Sequence, residues 1–302
     1  MDGILPLWKP KGLTSHDCVF KVRKLLKMKK VGHTGTLDPD VTGVLPICLG
    51  RGTKIAQYIT DSGKSYEGEV TLGFSTTTED ASGELVEEKK VNRTIMREEI
   101  MSIFNRLEGE ITQVPPMFSA VKVNGKRLYE YARQGIEVER PSRVVQIKSL
   151  TLLDERQEFK GDLISFKFRV SCSKGTYIRT LAVTIGEKLG IPAHMSGLTR
   201  VQSASFTEAD CVTLEEIQTL IECNEISKAI FPIEDGLSHL PKWEISDTLA
   251  EKVKNGARLE LPEDWPIDEE VVMMENGKAI AIYHVHPEKE GTIKPVKVLY
   301  ND

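Results

Sequence analysis

Two stretches, SYEGEVTLGF (65–74) and LISFKFRVSC (163–172), alternate apolar and polar residues over most of their length. A side-chain period of two belongs to half-buried strands and cannot lie on one face of a helix, so the chain must build a sheet with one covered face. Helical spacing appears between and around them. In TSHDCVFKVRKLL, residues Cys18, Val22, Leu25 and Leu26 recur at helical intervals behind a Thr14/Ser15 cap. NRTIMREEIMSIFNRL (92–107) and TYIRTLAVTIGEKLG (176–190) predict two more amphipathic helices, the second stopped by Gly190. Strands and helices interleave irregularly, which points to an α+β fold. No period of about 20 to 50 residues repeats, so a solenoid is excluded.

With 302 residues, the chain is long enough for about two domains. A boundary is expected near Leu240, giving residues 1–239 and 240–302. The smaller part reads as a helix-and-strand unit in which MMENGKAIAIYHV makes a turn between two strands. Between Val114 and Arg143 periodicity fails. VPPMFSAVKVNGKRLYEYARQGIEVERPSR mixes prolines, an Asn-Gly turn, tyrosines and basic residues, as a protruding loop or hairpin that touches a ligand does.

Neither a charged leader with an apolar run nor a window of about 18 apolar residues is found, so a cytoplasmic protein without a membrane span is expected. The five cysteines never form a Cys-x-x-Cys pair and are read as buried thiols. Net charge is −5, yet Met1 to Lys54 holds ten Lys and Arg against four Asp. That local excess of six positive charges can meet phosphates although the whole chain is acidic.

The basic block surrounds GHTGTLDPDVTG (32–43). Pro39 disfavours the helical region for Asp38, and the neighbouring glycines allow close approach to the backbone, so the Asp38 carboxylate is presented. Such an aspartate can be a helix cap, a metal ligand, a general base or a nucleophile. His33, Asp38 and Asp40 make no familiar ligand pattern, so no metal is expected. Asp40 lacks the Leu-Asp-Pro frame and is expected to face solvent.

GHTGTLDPDVTGVLPICLGRGTK resembles the catalytic signature of the TruB family of tRNA pseudouridine synthases. WKPKGLTS, KSYEGEVTLG, TTTEDASGE, VPPMFSAVKVNGKRLYEYARQG, CSKGTYIRTLA and SGLTRVQSASF resemble further family blocks in the expected order. The resemblance implies a catalytic domain with a mixed, largely antiparallel sheet flanked by helices and loops. It also implies a small C-terminal PUA-like RNA-binding domain at 240–302, although that tail carries thirteen Asp and Glu against eight Lys and Arg. The implied reaction converts the T-arm uridine, position 55, into the Ψ of TΨC.

That isomerisation breaks the N1–C1′ bond, turns the uracil and joins C5 to C1′; no cofactor is required. A carboxylate can attack C1′, attack C6, or assist removal of a ribose proton on the way to a glycal, and the three routes remain open. By resemblance, Asp38 is the essential aspartate and Arg179 the arginine that pairs with it. Tyr66 is the tyrosine on which the base stacks and which can handle a proton. His33 fills the gap left by the flipped nucleotide, Leu198 walls the uracil pocket, and Tyr177 joins the substrate-binding set. Lys9, with Pro10, is placed in that set as a support for the loop. Alternatives are an RNA-binding protein without catalysis and a ribonucleoprotein-guided relative; the latter normally carries long lysine-rich extensions. The chain starts almost at WKPKG, which favours a standalone, monomeric enzyme acting on the tRNA T stem-loop without an obligate protein partner.

Overall fold

The computed structural model describes residues 1–266 and 269–300. The chain forms two compact units, Met1–Ser62 with Ser203–Asp302, and Gly63–Gln202. Among the described residues no helix is long and apolar enough to cross a membrane.

In the first unit, Gly3–Lys9 pairs antiparallel with Thr42–Leu49, from Gly3 opposite Leu49 to Lys9 opposite Gly43. The other edge of Thr42–Leu49 takes Val31–His33, with His33 opposite Ile47. These strands are apolar runs of Leu, Ile and Val, and both faces of the central one are covered. The helix Ser15–Leu26 starts at Thr14, whose hydroxyl accepts from the Asp17 N–H while the Asp17 carboxylate accepts from the Thr14 N–H. This reciprocal cap satisfies two helix-end donors and defines the start. The helix packs Cys18, Val19, Val22 and Leu26 against Leu5, Leu7, Leu45 and Ile47.

From Lys242 the same unit builds a second sheet, in the order Lys242–Glu244, Val271–Glu275, Lys278–Val285, Thr292–Val298, Leu259–Glu260. Its first pair is parallel and the rest are antiparallel. The expected turn lies at Asn276 and Gly277, both at positive φ. Alternation divides this sheet between two cores. Val272, Met274 and Ile282 join Ile4, Val44, Cys48, Ile55 and Ile59, whereas Val271, Met273 and Tyr283 cover Ala250, Val253 and Trp265. Gly236 sits where an added Cβ would come within 2.5 Å of Ile4 Cδ1, so a side chain there would push the first core apart.

The second unit carries the two alternating stretches as adjacent strands. Lys64–Leu72 and Ile164–Cys172 pair antiparallel from Ile164 opposite Leu72 to Cys172 opposite Lys64. The sheet runs Ala193–Ser203, Lys64–Leu72, Ile164–Cys172, Arg143–Leu152, Gly109–Gln113. Phe166 and Phe168 point inward and meet Phe104 and Phe159, with ring centroids 5.8 to 6.4 Å apart. Phe104 comes from the helix Arg97–Leu107. That helix starts later than its apolar pattern predicts, because Ile95–Met96 is drawn into a two-strand ladder with Glu158–Phe159. The helix Ile178–Leu189 stops at Gly190 as expected, in the left-handed conformation with φ 71°.

The expected hairpin in residues 114–143 is present. Lys122–Val123 pairs with Lys126–Arg127 around Asn124 and Gly125, both at positive φ, and the short helix Leu128–Ala132 follows. The cysteine reading is corrected in part: Cys18, Cys48 and Cys172 are buried, but Cys211 is half-buried and Cys223 exposed. Cys223 caps the helix Leu214–Glu222, where packing ends.

Candidate active site

Of the candidate residues, Lys9, His33 and Asp38 belong to the first unit, and Tyr66, Tyr177, Arg179 and Leu198 to the second.

The Asp38 loop is held on both sides of the carboxylate. Before it, buried Leu37 exchanges two hydrogen bonds with Ser15 at the start of the first helix: its N–H donates to Ser15 Oγ at 2.9 Å, and Ser15 Oγ donates to its carbonyl at 3.3 Å. After it, the Lys9 ammonium, fully buried, donates to the carbonyls of Pro10, Pro39 and Val41 at 3.0, 3.0 and 2.7 Å. The Gly12 N–H donates to the Pro39 carbonyl at 2.8 Å, and the Val41 N–H closes a turn onto the Asp38 carbonyl at 3.1 Å. A buried ammonium is costly unless its donors are met, and here backbone carbonyls meet them. Lys9 thus ties down the segment that presents Asp38. Asp38 itself is half-buried and Asp40 exposed. His33 ends the strand Val31–His33 and is half-buried. Next to it, buried Thr34 donates its N–H and hydroxyl to the Pro46 carbonyl.

In the second unit, Tyr66 occupies the covered face of Lys64–Leu72, opposite Val170. Two residues on, Gly68 leaves room for the Phe168 ring, whose Cζ would lie 2.5 Å from a Cβ at that position. Leu198 is half-buried on the strand Ala193–Ser203. Tyr177 precedes the helix Ile178–Leu189 and is gripped by one buried side-chain amide. Gln113 Oε1 accepts from the Tyr177 N–H at 2.9 Å, and Gln113 Nε2 donates to the Tyr177 carbonyl at 3.1 Å. The Arg143 guanidinium lies 5.5 Å from the Tyr177 ring centroid.

Arg179, on the first turn of that helix, is the most elaborately held group. Its guanidinium donates from Nη1 to the Thr78 carbonyl at 3.0 Å and from Nη2 to the Phe118 carbonyl at 2.9 Å. Nη1 also lies 3.6 Å from Asp80 Oδ2. The other Asp80 oxygen accepts from the Thr78 hydroxyl, the Ser82 N–H and the Ser82 hydroxyl at 2.6 to 2.9 Å. Between these residues, Glu79 accepts from the Thr180 hydroxyl at 2.8 Å. Burial pushes the Glu79 carboxyl above its ordinary range, against the Thr180 hydrogen bond and the nearby Arg179 charge. TTTEDASGE is thus a cradle for one arginine. Asp80, Glu79 and Gln113 were not singled out from sequence, because their partners lie far along the chain. The Thr-rich block was the only signal.

Residues 23–178 match the TruB family pseudouridylate synthase (N terminal domain), and residues 179–238 match the tRNA pseudouridylate synthase B C-terminal domain. A tRNA pseudouridine synthase B of Geobacillus thermodenitrificans is 59% identical over 303 residues, covering 99% of this chain and 99% of its own length. One of Bacillus cytotoxicus is 58% identical over 304 residues, covering 100% of this chain and 98% of its own. Among solved structures, a chain of a Cbf5-Nop10-Gar1 complex superposes with a TM-score of 0.77 at 30% identity, over 99% of this chain and 85% of that one. The fold is that of a pseudouridylate synthase, α+β with a mixed, largely antiparallel sheet. The chain belongs to the TruB family.

Proposed function

We propose that this protein is a tRNA pseudouridine synthase that isomerises the T-arm uridine at position 55 by base flipping, with Asp38 as the nucleophile. The observation that carries the reading is the Asp38 loop, locked before and after the carboxylate by Ser15 and Lys9, in a chain more than half identical to tRNA pseudouridine synthases B. A nucleophile held in one conformation loses little freedom when the sugar arrives, which is how positioning accelerates a reaction.

In this reading the ionised Asp38 carboxylate acts beside the target sugar by one of the three routes above. Arg179 pairs with the carboxylate and orients it while substrate excludes water. Tyr66 stacks on the uracil, a contact worth about 1 to 3 kcal/mol, and can pass a proton. His33 takes the vacancy left in the T-loop stack and offsets part of an extrusion cost of a few kcal/mol. Leu198 walls the uracil, Tyr177 flanks the substrate, and Lys9 acts through the loop. Residues 1–239 form the catalytic domain, with 114–143 contacting RNA, and 240–302 a PUA-like RNA-binding domain. The enzyme works in the cytoplasm as a monomer, with no metal, cofactor or protein partner.

Mapping pseudouridine in an unmodified tRNA transcript after incubation with the purified chain tests the reading. Product confined to the T-arm uridine, and lost in Asp38→Asn while tRNA binding stays within a few-fold, is expected. Product elsewhere overturns the target. An Asp38→Asn rate above about 1% of wild type overturns the nucleophile, since losing a covalent catalyst costs several orders of magnitude.

A further inference from the structure

The helix Ser15–Leu26 turns Ser15, Cys18, Val19, Val22 and Leu26 into the core. The opposite side carries His16, Phe20, Arg23, Lys24 and Lys27, all exposed and all within one stripe at helical spacing. Phe20 is 63% exposed, and it is the one aromatic among the exposed large hydrophobic side chains of the described residues. Phe20 is not among the side chains of this helix that pack in the core, Cys18, Val19, Val22 and Leu26. Its neighbours are cations: Lys24 one turn on, Lys27 at the end of the helix, and Lys21 on the flank. The acid on this helix, Asp17, is turned back to cap the first turn, and Arg23 donates to the Val31 carbonyl at 3.1 Å.

We propose that this outward stripe is an RNA-docking surface, with Phe20 packing on a base or ribose and Lys24 and Lys27 contacting phosphates. The inference rests on the RNA-modifying role proposed above and extends the substrate footprint beyond the target nucleotide. Two observations select RNA as the occupant. First, the stripe combines a π-face with positive charge, the pair of features that single-stranded and loop nucleotides engage, in a segment whose local charge opposes that of the whole chain. Second, the start of this helix is fastened to the Asp38 loop through Ser15 and Leu37, and through Gly12 and Pro39. At 1.5 Å of rise per residue, the stripe extends about 18 Å from that junction. An RNA strand that delivers a nucleotide to Asp38 has the length to track along it.

Fluorescence anisotropy with an unmodified tRNA transcript and the purified full chain tests the proposal over a range of salt. Phe20→Ala is expected to weaken binding roughly 5- to 100-fold without changing the slope of log Kd against log salt. Phe20→Trp should stay within about twofold of wild type. Lys24→Ala/Lys27→Ala should reduce the slope by about 0.7 to 0.9 for each phosphate no longer neutralised. All three variants alter exposed side chains, and thermal melts superposing on wild type establish that they fold. Wild-type affinity and slope in Phe20→Ala and in the double variant, with wild-type protein still converting the transcript, overturn the docking surface and leave the enzymatic reading standing. Failure of the wild-type protein itself to bind or convert tRNA overturns both.

Discussion

Arg179 Nη1 lies 3.6 Å from Asp80 Oδ2, the two side chains being 7% and 19% exposed. Asp80 is in turn fixed by Thr78 and Ser82, and Arg179 by the Thr78 and Phe118 carbonyls, so the guanidinium is aimed by contacts from two separate loops. Nothing in this arrangement depends on solvent-exposed charge. An arginine held this way keeps its planar guanidinium in one orientation.

Removing the Asp80 charge therefore loosens the aim of Arg179 more than it unfolds the protein. Asp80→Asn keeps the size and can still accept from Ser82, but leaves a buried cation with a weaker partner. A loss of about 1 to 3 kcal/mol of stability is expected, together with a single-turnover rate reduced at least tenfold and tRNA binding within a few-fold. Rapid-quench kinetics beside a urea titration separates the two effects. An unchanged rate with reduced stability would show that Asp80 only braces its own loop.

Lys9 makes the same argument for the other unit. Lys9→Met keeps the stem and removes the ammonium, leaving the Pro10, Pro39 and Val41 carbonyls without that donor. A stability loss of about 2 to 4 kcal/mol is expected by chemical denaturation. Pseudouridine formation should fall with it even at temperatures where the variant is folded, because Pro39 and Val41 closely follow Asp38. A variant that loses less than about 0.5 kcal/mol would mean that the loop holds itself.

Thiol chemistry gives a prediction that depends on pH. Burial pushes the Cys48 thiol up to about 12 and Cys172 up to about 11, and raises Cys18 in the same direction. The thiolate is the reactive form, so at pH 8 these three are both inaccessible and protonated. In the native protein a thiol-specific reagent should label Cys223 quickly, Cys211 more slowly and the remaining three only after unfolding, when all five react. Raising the pH to 9 should not recruit the three buried thiols. Fast native labelling of three or more thiols, read by intact mass, would contradict the burial.

Much of this fold was legible because its signals are local. The period-two alternation in 65–74 and 163–172, the Asn-Gly turns at 124 and 276, and the stop at Gly190 each express a backbone preference within a few residues. What was hidden is non-local. Ile95 and Met96 fit a helical pattern and are strand because Phe159 and Glu158 lie across from them. The Asp38 loop was conspicuous from its own residues, whereas Asp80 stood only within the Thr-rich block TTTEDASGE, with nothing to show that its partner lies 99 positions on at Arg179. Lys9 is marked as a support for the loop only by resemblance, and its own residue pattern does not show that its ammonium is buried among the Pro10, Pro39 and Val41 carbonyls.

The proposed division between flipping and bond chemistry can be separated by choosing substrates in which extrusion differs in cost. If His33 fills the vacancy in the T-loop, it compensates only the unstacking cost of a few kcal/mol, which shrinks when the target nucleotide starts in a loosened loop. His33→Ala should then slow the reaction on intact tRNA by roughly 10- to 100-fold, and by only a few-fold on a stem-loop whose loop has been destabilised. Asp38→Asn should be inactive on both, because the carboxylate takes part in bond breakage whatever the starting shape of the RNA. Single-turnover rates on the two substrates supply the comparison. An equal fractional loss on both for His33→Ala would assign the histidine to the chemical step or to the folding of its own loop, where it ends the strand Val31–His33 beside the buried Thr34.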